Sequence, residues 1–157
     1  KMDGKLTVSA LSTYTGSDYV LEASGRQLSG RVWGVGVRAA DSANLYSVNL
    51  YEDLDATWYN LWTYRWVNGR AVDIANTAEG AIDLNTWYRL MLKVHGSSLE
   101  VYRNGVFRSQ ATDAQFGSGR IALYGEANTV AQFDNVFVRK YAAQEPSAGV
   151  GSEEIRP

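Results

Sequence analysis

The fold is decided by residues 99–109, LEVYRNGVFRS, in which an Asn-Gly pair joins two short runs that alternate apolar and polar side chains. An Asn-Gly pair between such runs is a strong signal for a two-residue hairpin turn, because both turn residues need a positive φ. A second pair, Asn68-Gly69, separates residues 61–67 from residues 70–75 in the same way. The sequence therefore predicts two tight antiparallel hairpins, each closed by a type I′ turn.

The rest of the chain reads as further short runs of alternating side chains, with turn residues between them and no long helical period. Alternation gives each run an apolar side and a mixed side, which is typical of antiparallel sheets with one wet face. The fold class predicted from these runs is all-β, a two-sheet antiparallel sandwich. The expected core residues include Tyr88, Leu90, Leu92, Leu99, Val101 and Leu123.

Composition restricts the class of protein. The 157 residues fit one domain, predicted over residues 1–141, and residues 142–157 read as a polar linker or tail. A net charge of −2 argues against nucleic acid as a partner. No apolar run of about 18 residues is present, so no membrane insertion is expected. The absence of cysteine excludes thiol catalysis and cysteine-ligated zinc, and the single histidine, His95, argues against a Ser-His-Asp triad. The first residues show no signal peptide and read as the interior of a longer protein.

Three stretches resemble the concanavalin A-like and laminin-G-like jelly-roll domains: residues 85–90 followed by 98–105, residues 117–124 followed by 133–136, and residues 36–41 with 44–46. The resemblance covers residues 21–141 and implies a jelly-roll sandwich. It is nearest to non-catalytic carbohydrate-binding modules of multidomain secreted microbial proteins. Since this superfamily contains lectins, adhesion domains and some glycosidases, the fold alone cannot choose the function.

Catalytic signatures of this superfamily are missing. Glucanases of the jelly-roll class place two or three carboxylates on one face of a strand, with Glu-x-Asp-x-Glu spacing. The nearest stretch here is residues 52–55, EDLD, whose spacing does not match. His95 lacks the context found in polysaccharide lyases and reads as a solvated residue at a strand end. We therefore expect no enzyme activity.

A ligand-binding surface is predicted from the wet sides of three runs, residues 31–39, 45–51 and 58–67. Gly34 and Gly36 would leave a shallow floor, and Arg38 would lie beside them with little structural need. Arginine offers a planar fork of donors, asparagine offers a donor and an acceptor, and tyrosine offers a stacking plane. The alternative is an ordinary solvated sheet face. The predicted ligand-binding residues are Arg38, Asn49, Tyr51, Tyr59 and Arg65, with Trp58 at the rim.

The aromatic ladder formed by Trp62, Tyr64 and Trp66 is predicted to be core, because the opposite side carries Thr63 and Arg65, which are costly to bury. A bulge would reverse this assignment for half of the strand. A structural Ca²⁺ ion is a further hypothesis, with Asp134 and Asp3, or Asp53 and Asp55, as oxygen ligands. The alternative is that these are scattered surface acids.

The sequence as a whole predicts a non-catalytic carbohydrate-binding module that recognises a polysaccharide or glycan by aromatic stacking and hydrogen bonding. It would be secreted or extracellular and joined to other domains of the same polypeptide. The alternative function is a structural or adhesive cell-surface domain with a protein partner. The two differ in their active surface, since a glycan site needs converging aromatic and polar groups and an adhesive domain needs an apolar patch or open sheet edge.

Overall fold

Eleven β-strands build the protein in a computed structural model, which describes residues 6–52, 60–78, 82–126 and 128–144, with side chains from residue 10 onward. These ranges contain no helix. The strands are β1 (Leu6–Leu11), β2 (Tyr19–Ser29), β3 (Val32–Asp41), β4 (Asn44–Tyr51), β5 (Leu61–Val67), β6 (Arg70–Thr77), β7 (Tyr88–His95), β8 (Ser98–Arg103), β9 (Val106–Thr112), β10 (Arg120–Glu126) and β11 (Val130–Lys140).

The strands form two antiparallel sheets, one of six strands in the order β1-β10-β3-β4-β5-β6 and one of five in the order β11-β2-β7-β8-β9. Both predicted hairpins are confirmed. β5 and β6 pair with Val67 opposite Arg70, and β8 and β9 pair with Arg103 opposite Val106. The turn residues have positive φ, at 51° and 74° for the first pair and 50° and 81° for the second. Each Asn-Gly pair therefore closes a type I′ turn.

The main core lies between the two sheets. It combines residues such as Val35, Val48 and Leu61 of the six-stranded sheet with Leu21 and Leu90 of the five-stranded sheet. The predicted core residues lie there: Tyr88, Leu90, Leu92, Leu99 and Val101 are buried, and Leu123 packs against them while partly exposed. The alternation of the sequence thus identifies the inner faces of these strands.

A glycine in one sheet makes room for the largest buried ring of the other. Trp33 on β3 is fully buried. A Cβ atom on Gly25 of β2 would stand 2.2 Å from this indole, so the ring lies directly on the β2 backbone. Phe133 of β11 meets the same indole edge-on, with ring centroids 5.7 Å apart. The contact fixes the distance between the sheets at this point, because neither backbone can approach further.

A second hydrophobic cluster covers the side of the six-stranded sheet that is turned away from its partner, here called the outer face. Its buried residues all belong to this sheet: Val32, Ala39, Leu45, Tyr51, Tyr64, Trp66 and Ala122. The outer face is therefore largely closed to water. An antiparallel sheet with one wet face would have left these positions polar, so this is the main departure of the fold from the sequence pattern.

Candidate functional site

Two of the predicted binding residues lie on the outer face. Asn49 pairs with Gly34 across β3 and β4, and Tyr51 pairs with Val32 in the same ladder. Both are buried: Asn49 is 0% exposed and Tyr51 is 8% exposed. They belong to the predicted sheet face, but that face is covered.

The aromatic ladder of β5 shares this face. It is core, as predicted, since Tyr64 and Trp66 are buried in the second hydrophobic cluster and Trp62 packs against it. Trp62 pairs with Asn49, and Tyr64 pairs with Ser47. Trp62 and Tyr64 stack with centroids 5.7 Å apart and planes 5° from parallel. Trp66 donates its indole N–H to Ser47 Oγ at 2.8 Å. The rings and the polar groups of β4 are therefore neighbours on one surface.

Arg65 lies on the opposite side of β5 from the predicted one, and its placement on the wet face is wrong. Its guanidinium forms an ion pair with Asp113, which follows β9 of the other sheet. The Tyr46 hydroxyl donates to the same carboxylate at 2.6 Å. The positive charge of Arg65 at this inner position is compensated by Asp113, which is far away in sequence. Because the ion pair offsets the cost of burying the guanidinium, Arg65 can face the other sheet.

The Asp113 network makes stability depend on acid. Burial pushes the pKa of Asp113 upward, but hydrogen bonds from the Tyr46 hydroxyl and the Gln115 N–H, together with Arg65, bring it below its ordinary value of 3.8. A lowered pKa in the folded state stabilises the protein above the unfolded-state pKa, and this stabilisation is lost as pH falls through the folded-state pKa. We expect Asp113→Asn to lower the free energy of unfolding at pH 7, and the deficit to shrink as pH falls from 4 toward 2. Urea titrations over this range measure it.

The matched control for this titration is Asp83→Asn, which changes an exposed carboxylate outside the network. It should follow the wild type at every pH. A deficit for Asp113→Asn that stays constant down to pH 2 would show that the carboxylate charge contributes nothing.

Arg38 also lies elsewhere than predicted, and the expectation that it has little structural need is wrong. Its side chain is 1% exposed. Its guanidinium donates to the backbone carbonyls of Ser17, Gly96 and Phe116 at 2.7–3.1 Å, and to the Asp18 carboxylate at 3.4 Å. The residue has a φ of 50° within a bulge that interrupts the β3–β4 register. The bulge breaks the alternation and turns Arg38 away from the outer face toward the loops at one end of the sandwich.

The glycine floor exists, but side chains of the protein occupy it. A Cβ atom on Gly34 would stand 2.7 Å from the Tyr124 hydroxyl, and one on Gly36 would stand 2.7 Å from Leu45 Cδ1. Tyr124 comes from β10, next to β3 in the sheet. The two glycines thus allow side chains of the neighbouring strands, the Tyr124 ring and Leu45, to lie close to the backbone of β3.

Three phenols and one carboxylate meet on the outer face. We call Tyr51, Tyr64, Tyr124 and Glu126 the phenol cluster. The Tyr51 and Tyr64 hydroxyls are 3.5 Å apart, and Glu126 lies near enough to help raise the pKa of all three phenols. Burial is the main cause in each case, and it raises the pKa of Tyr64 to about 12. Burial also raises the pKa of Glu126, against the smaller opposing effect of Arg31.

Polar groups in and beside the phenol cluster lack partners among the described residues. Asn49, next to the cluster, accepts a hydrogen bond from Ser47 Oγ at 2.8 Å, but its Nδ2 has no acceptor within the described ranges. Tyr124 lies near Ser47, yet its buried hydroxyl makes no hydrogen bond of normal geometry to a described residue. An unpaired buried donor is costly, of the order of 1–3 kcal/mol. Such groups in one place are therefore candidates for contact with a ligand or water.

An open cleft of about 490 Å³ begins at the phenol cluster. Tyr124 and Glu126 of β10 line it together with Asn128, Thr129 and Phe133. Its volume lies within the range of about 300–1,000 Å³ found for small-molecule sites. Glu126 is the charged group common to the cleft and the cluster. Tyr124 and Glu126 are not among the predicted site residues, although they alternate with Leu123 and Gly125 on a strand, a pattern that could have assigned them to the outer face.

The predicted binding residues Trp58 and Tyr59 and the predicted calcium ligands Asp3, Asp53 and Asp55 lie outside the described residues. Asp134 on β11 is exposed, and its Oδ1 accepts a hydrogen bond from the Asn135 N–H at 2.7 Å. Within the described ranges, no group of three or more His, Cys, Asp or Glu side chains could hold a metal ion. A calcium ion at Asp134 stays a prediction. Among these same residues, no helix is long and apolar enough to cross a membrane.

Comparison with solved structures identifies the architecture. The carbohydrate-binding module CBM66 from Bacillus subtilis superposes with a TM-score of 0.74 at 23% identity, covering 88% of this chain and 92% of that one. Galectin-Va from Xenopus laevis gives 0.66 at 12%, covering 86% and 98%. A putative glycosyl hydrolase from Parabacteroides distasonis gives 0.64 at 15%, covering 83% and 82%. No protein family and no curated relative matches the sequence. The fold is therefore a two-sheet jelly-roll sandwich, the architecture that the resemblance implied.

Proposed function

We propose that this domain is a non-catalytic carbohydrate-binding module, and that the phenol cluster and the adjoining cleft bind the glycan. The observation that carries the proposal is the convergence of three tyrosines with the Glu126 carboxylate and the unpaired Asn49 amide. Sugars present apolar C–H faces and polar hydroxyl edges, so a binding site needs aromatic surface and hydrogen-bonding groups together.

Each group in the site has a chemical role in this proposal. The Glu126 carboxylate accepts hydrogen bonds from two sugar hydroxyls, and bonds of this charge-assisted kind are the stronger class. Asn128 and Thr129 supply further donors and acceptors along the cleft. Tyr124 lies where the cleft meets the outer face, but its ring is fully buried and so supports the site from beneath instead of stacking on the sugar. The names of two of the neighbours, a carbohydrate-binding module and a galectin, agree with a sugar ligand.

A binding role without hydrolysis is supported by the sequence, in which residues 52–55, the stretch nearest to a jelly-roll glucanase signature, do not have its spacing. A binding role in a secreted, multidomain protein is the setting we propose, in line with the resemblance.

Glu126→Gln tests the proposal because it should have opposite effects on stability and on glycan affinity. The raised pKa of Glu126 means that the folded state disfavours its charge, so stability falls as pH rises through the range between the unfolded-state and folded-state pKa values. The neutral amide removes this cost. We therefore expect Glu126→Gln to leave the free energy of unfolding at pH 7 unchanged or higher, and to weaken glycan binding about tenfold or more. Binding to a polysaccharide panel is measured by affinity electrophoresis and then by calorimetry.

Glu22→Gln is the matched control, since Glu22 lies on β2 of the other sheet. It should bind the panel as the wild type does. Unchanged affinity in Glu126→Gln would move the glycan site away from the phenol cluster. Failure of the wild-type domain to bind any polysaccharide of a broad panel would contradict the proposed function and favour an adhesive role.

A further inference from the structure

A second surface with the chemistry of a binding site lies on the outer side of the five-stranded sheet. It consists of Arg26 on β2, Gln132 on β11 and Trp87, the residue just before β7. Arg26 pairs with Gln132 in the β2–β11 ladder. Gly25 pairs with Tyr88 in the β2–β7 ladder, so the next position places Trp87 beside Arg26. We call these three residues the Trp87 surface. It lies on the opposite side of the sandwich from the phenol cluster.

The guanidinium of Arg26 is fixed in place but only partly used. Its Nε and one Nη donate to the same acceptor, Gln132 Oε1, at 2.9 and 2.7 Å. The guanidinium also lies 5.0 Å from the centroid of the Trp87 ring, a cation–π contact. Arginine carries five N–H donors. Gln132 uses one on Nε and one on a single Nη, so the two terminal Nη atoms keep N–H groups that can donate to a ligand. An arginine held this way loses little side-chain freedom on binding.

The charge of Arg26 has no acidic counterpart among the described residues, where no carboxylate lies within 4.0 Å of it. Asp134 lies two positions further along the β2–β11 ladder, opposite Ser24. Arg89 faces Ser24 from the other side and adds a second positive charge near the surface. The local balance of these three side chains is therefore positive, in a protein whose formal net charge is −2.

Trp87 supplies the apolar half of the site. Its side chain is 43% exposed, whereas Trp33 is completely buried. Since Arg26 covers one part of the ring, the exposed part is free to stack against the C–H face of a pyranose. Leu84, in the loop before Trp87, is also exposed. A ring edge beside an open guanidinium matches a ligand that is apolar on its face and anionic on its rim.

We propose that the Trp87 surface binds uronic acid residues of an acidic polysaccharide. The sugar ring stacks on Trp87, and its carboxylate accepts two parallel hydrogen bonds from the open end of the Arg26 guanidinium, the bidentate geometry in which arginine binds carboxylates best. A neutral sugar would leave this guanidinium without an anion. The inference goes beyond the proposed function, because the site, the sheet and the ligand charge all differ from those of the phenol cluster.

The experiment compares oligomers of galacturonic, glucuronic and mannuronic acid with their methyl esters, which keep the sugar ring and remove the charge. Binding is followed in the full chain by NMR, through the indole N–H signals of the five tryptophans. We expect at least one acid to shift the Trp87 signal and to bind about tenfold or more tightly than its ester. Arg26→Met should abolish this difference, Arg26→Lys should keep part of it, and Trp87→Ala should weaken acid and ester alike.

A control variant and a site-specific signal make the outcome decisive. Lys140→Met removes an exposed cation at the far end of β11 and should leave uronate binding unchanged. The Trp87 indole signal reports on this surface alone, so failure of the phenol cluster as a glycan site, tested by Glu126→Gln, is distinguishable from failure here. Equal affinity for acid and ester, wild-type binding in Arg26→Met, or equal binding of acetate and of the uronates would each overturn the proposal.

Discussion

Replacing Arg38 with Met is expected to lower the free energy of unfolding by about 3 kcal/mol or more. The guanidinium bonds three backbone carbonyls that belong to three different loops: Ser17 before β2, Gly96 between β7 and β8, and Phe116 between β9 and β10. A hydrogen bond from a charged group contributes about 1.5–3 kcal/mol, and Arg38 makes several, all part-buried. The methionine side chain fills much of the volume but supplies no donor. Urea unfolding at pH 7, followed by tryptophan fluorescence, measures the loss.

Two further variants separate the causes of this loss. Arg38→Lys keeps the charge but cannot place donors in three directions from a planar group, so it should fall between the wild type and Arg38→Met. Arg120→Met removes an exposed guanidinium that bonds a single carbonyl, that of Ala40, and should cost less than about 1 kcal/mol, as surface substitutions usually do. Wild-type stability in Arg38→Met would instead support the sequence-based view that Arg38 is a spare residue available to a ligand.

The direction of the Arg38 side chain could not be predicted from the alternation of the sequence, and the reason lies in its backbone. Counting by two assumes extended backbone at every residue, and Arg38 has a φ of 50°. The backbone of Gly119 approaches it so closely that a Cβ atom on this glycine would stand 2.4 Å from the Arg38 carbonyl carbon. The irregular pairing of β3 with β10 therefore depends on a residue about eighty positions away. Nothing near Arg38 in the sequence marks the bulge.

The hairpins could be predicted because their signal is local: it is the preference of the two turn residues for positive φ. Each Asn-Gly pair needs no distant partner to adopt its turn. The inner faces of β7 and β8 could be predicted because large aliphatic side chains alternate there with charged ones. By contrast, β2 was not identified as a strand. Its inner positions run through Ala23, Gly25 and Gln27, which make a weak apolar pattern.

The candidate site was predicted in part. Asn49 and Tyr51 are on the expected face. The side chains of β5 face the other way than predicted, so the aromatic ladder of β5, and not Arg65, lies beside them. The predicted orientation of β5 depended on the cost of burying the Arg65 charge. The ion pair with Asp113 offsets most of that cost. Pairings between distant residues cannot be read from one sequence. The same limit explains why Glu126, which acts only together with tyrosines from three other positions, was not singled out.

Trp33→Ala is expected to cost about 3–5 kcal/mol, the usual range for removing a fully buried large aromatic ring. The indole touches both sheets, because it lies on the Gly25 backbone and meets the Phe133 ring. The neighbouring sheet cannot collapse into the space without breaking the registers of β2 with β7 and β11. The cavity therefore stays open, and the lost contacts are not replaced. Thermal and urea unfolding should both show the loss.

Trp87→Ala gives the matched comparison, since the same atoms are removed from a ring that is 43% exposed. It should cost about 1 kcal/mol or less, mainly through the lost cation–π contact with Arg26. The ratio of the two losses tests the packing of the sandwich independently of any ligand. Equal losses would mean that Trp33 does not hold the sheets apart. Because Trp87→Ala keeps the fold in this scheme, any change in its uronate binding belongs to the surface and not to unfolding.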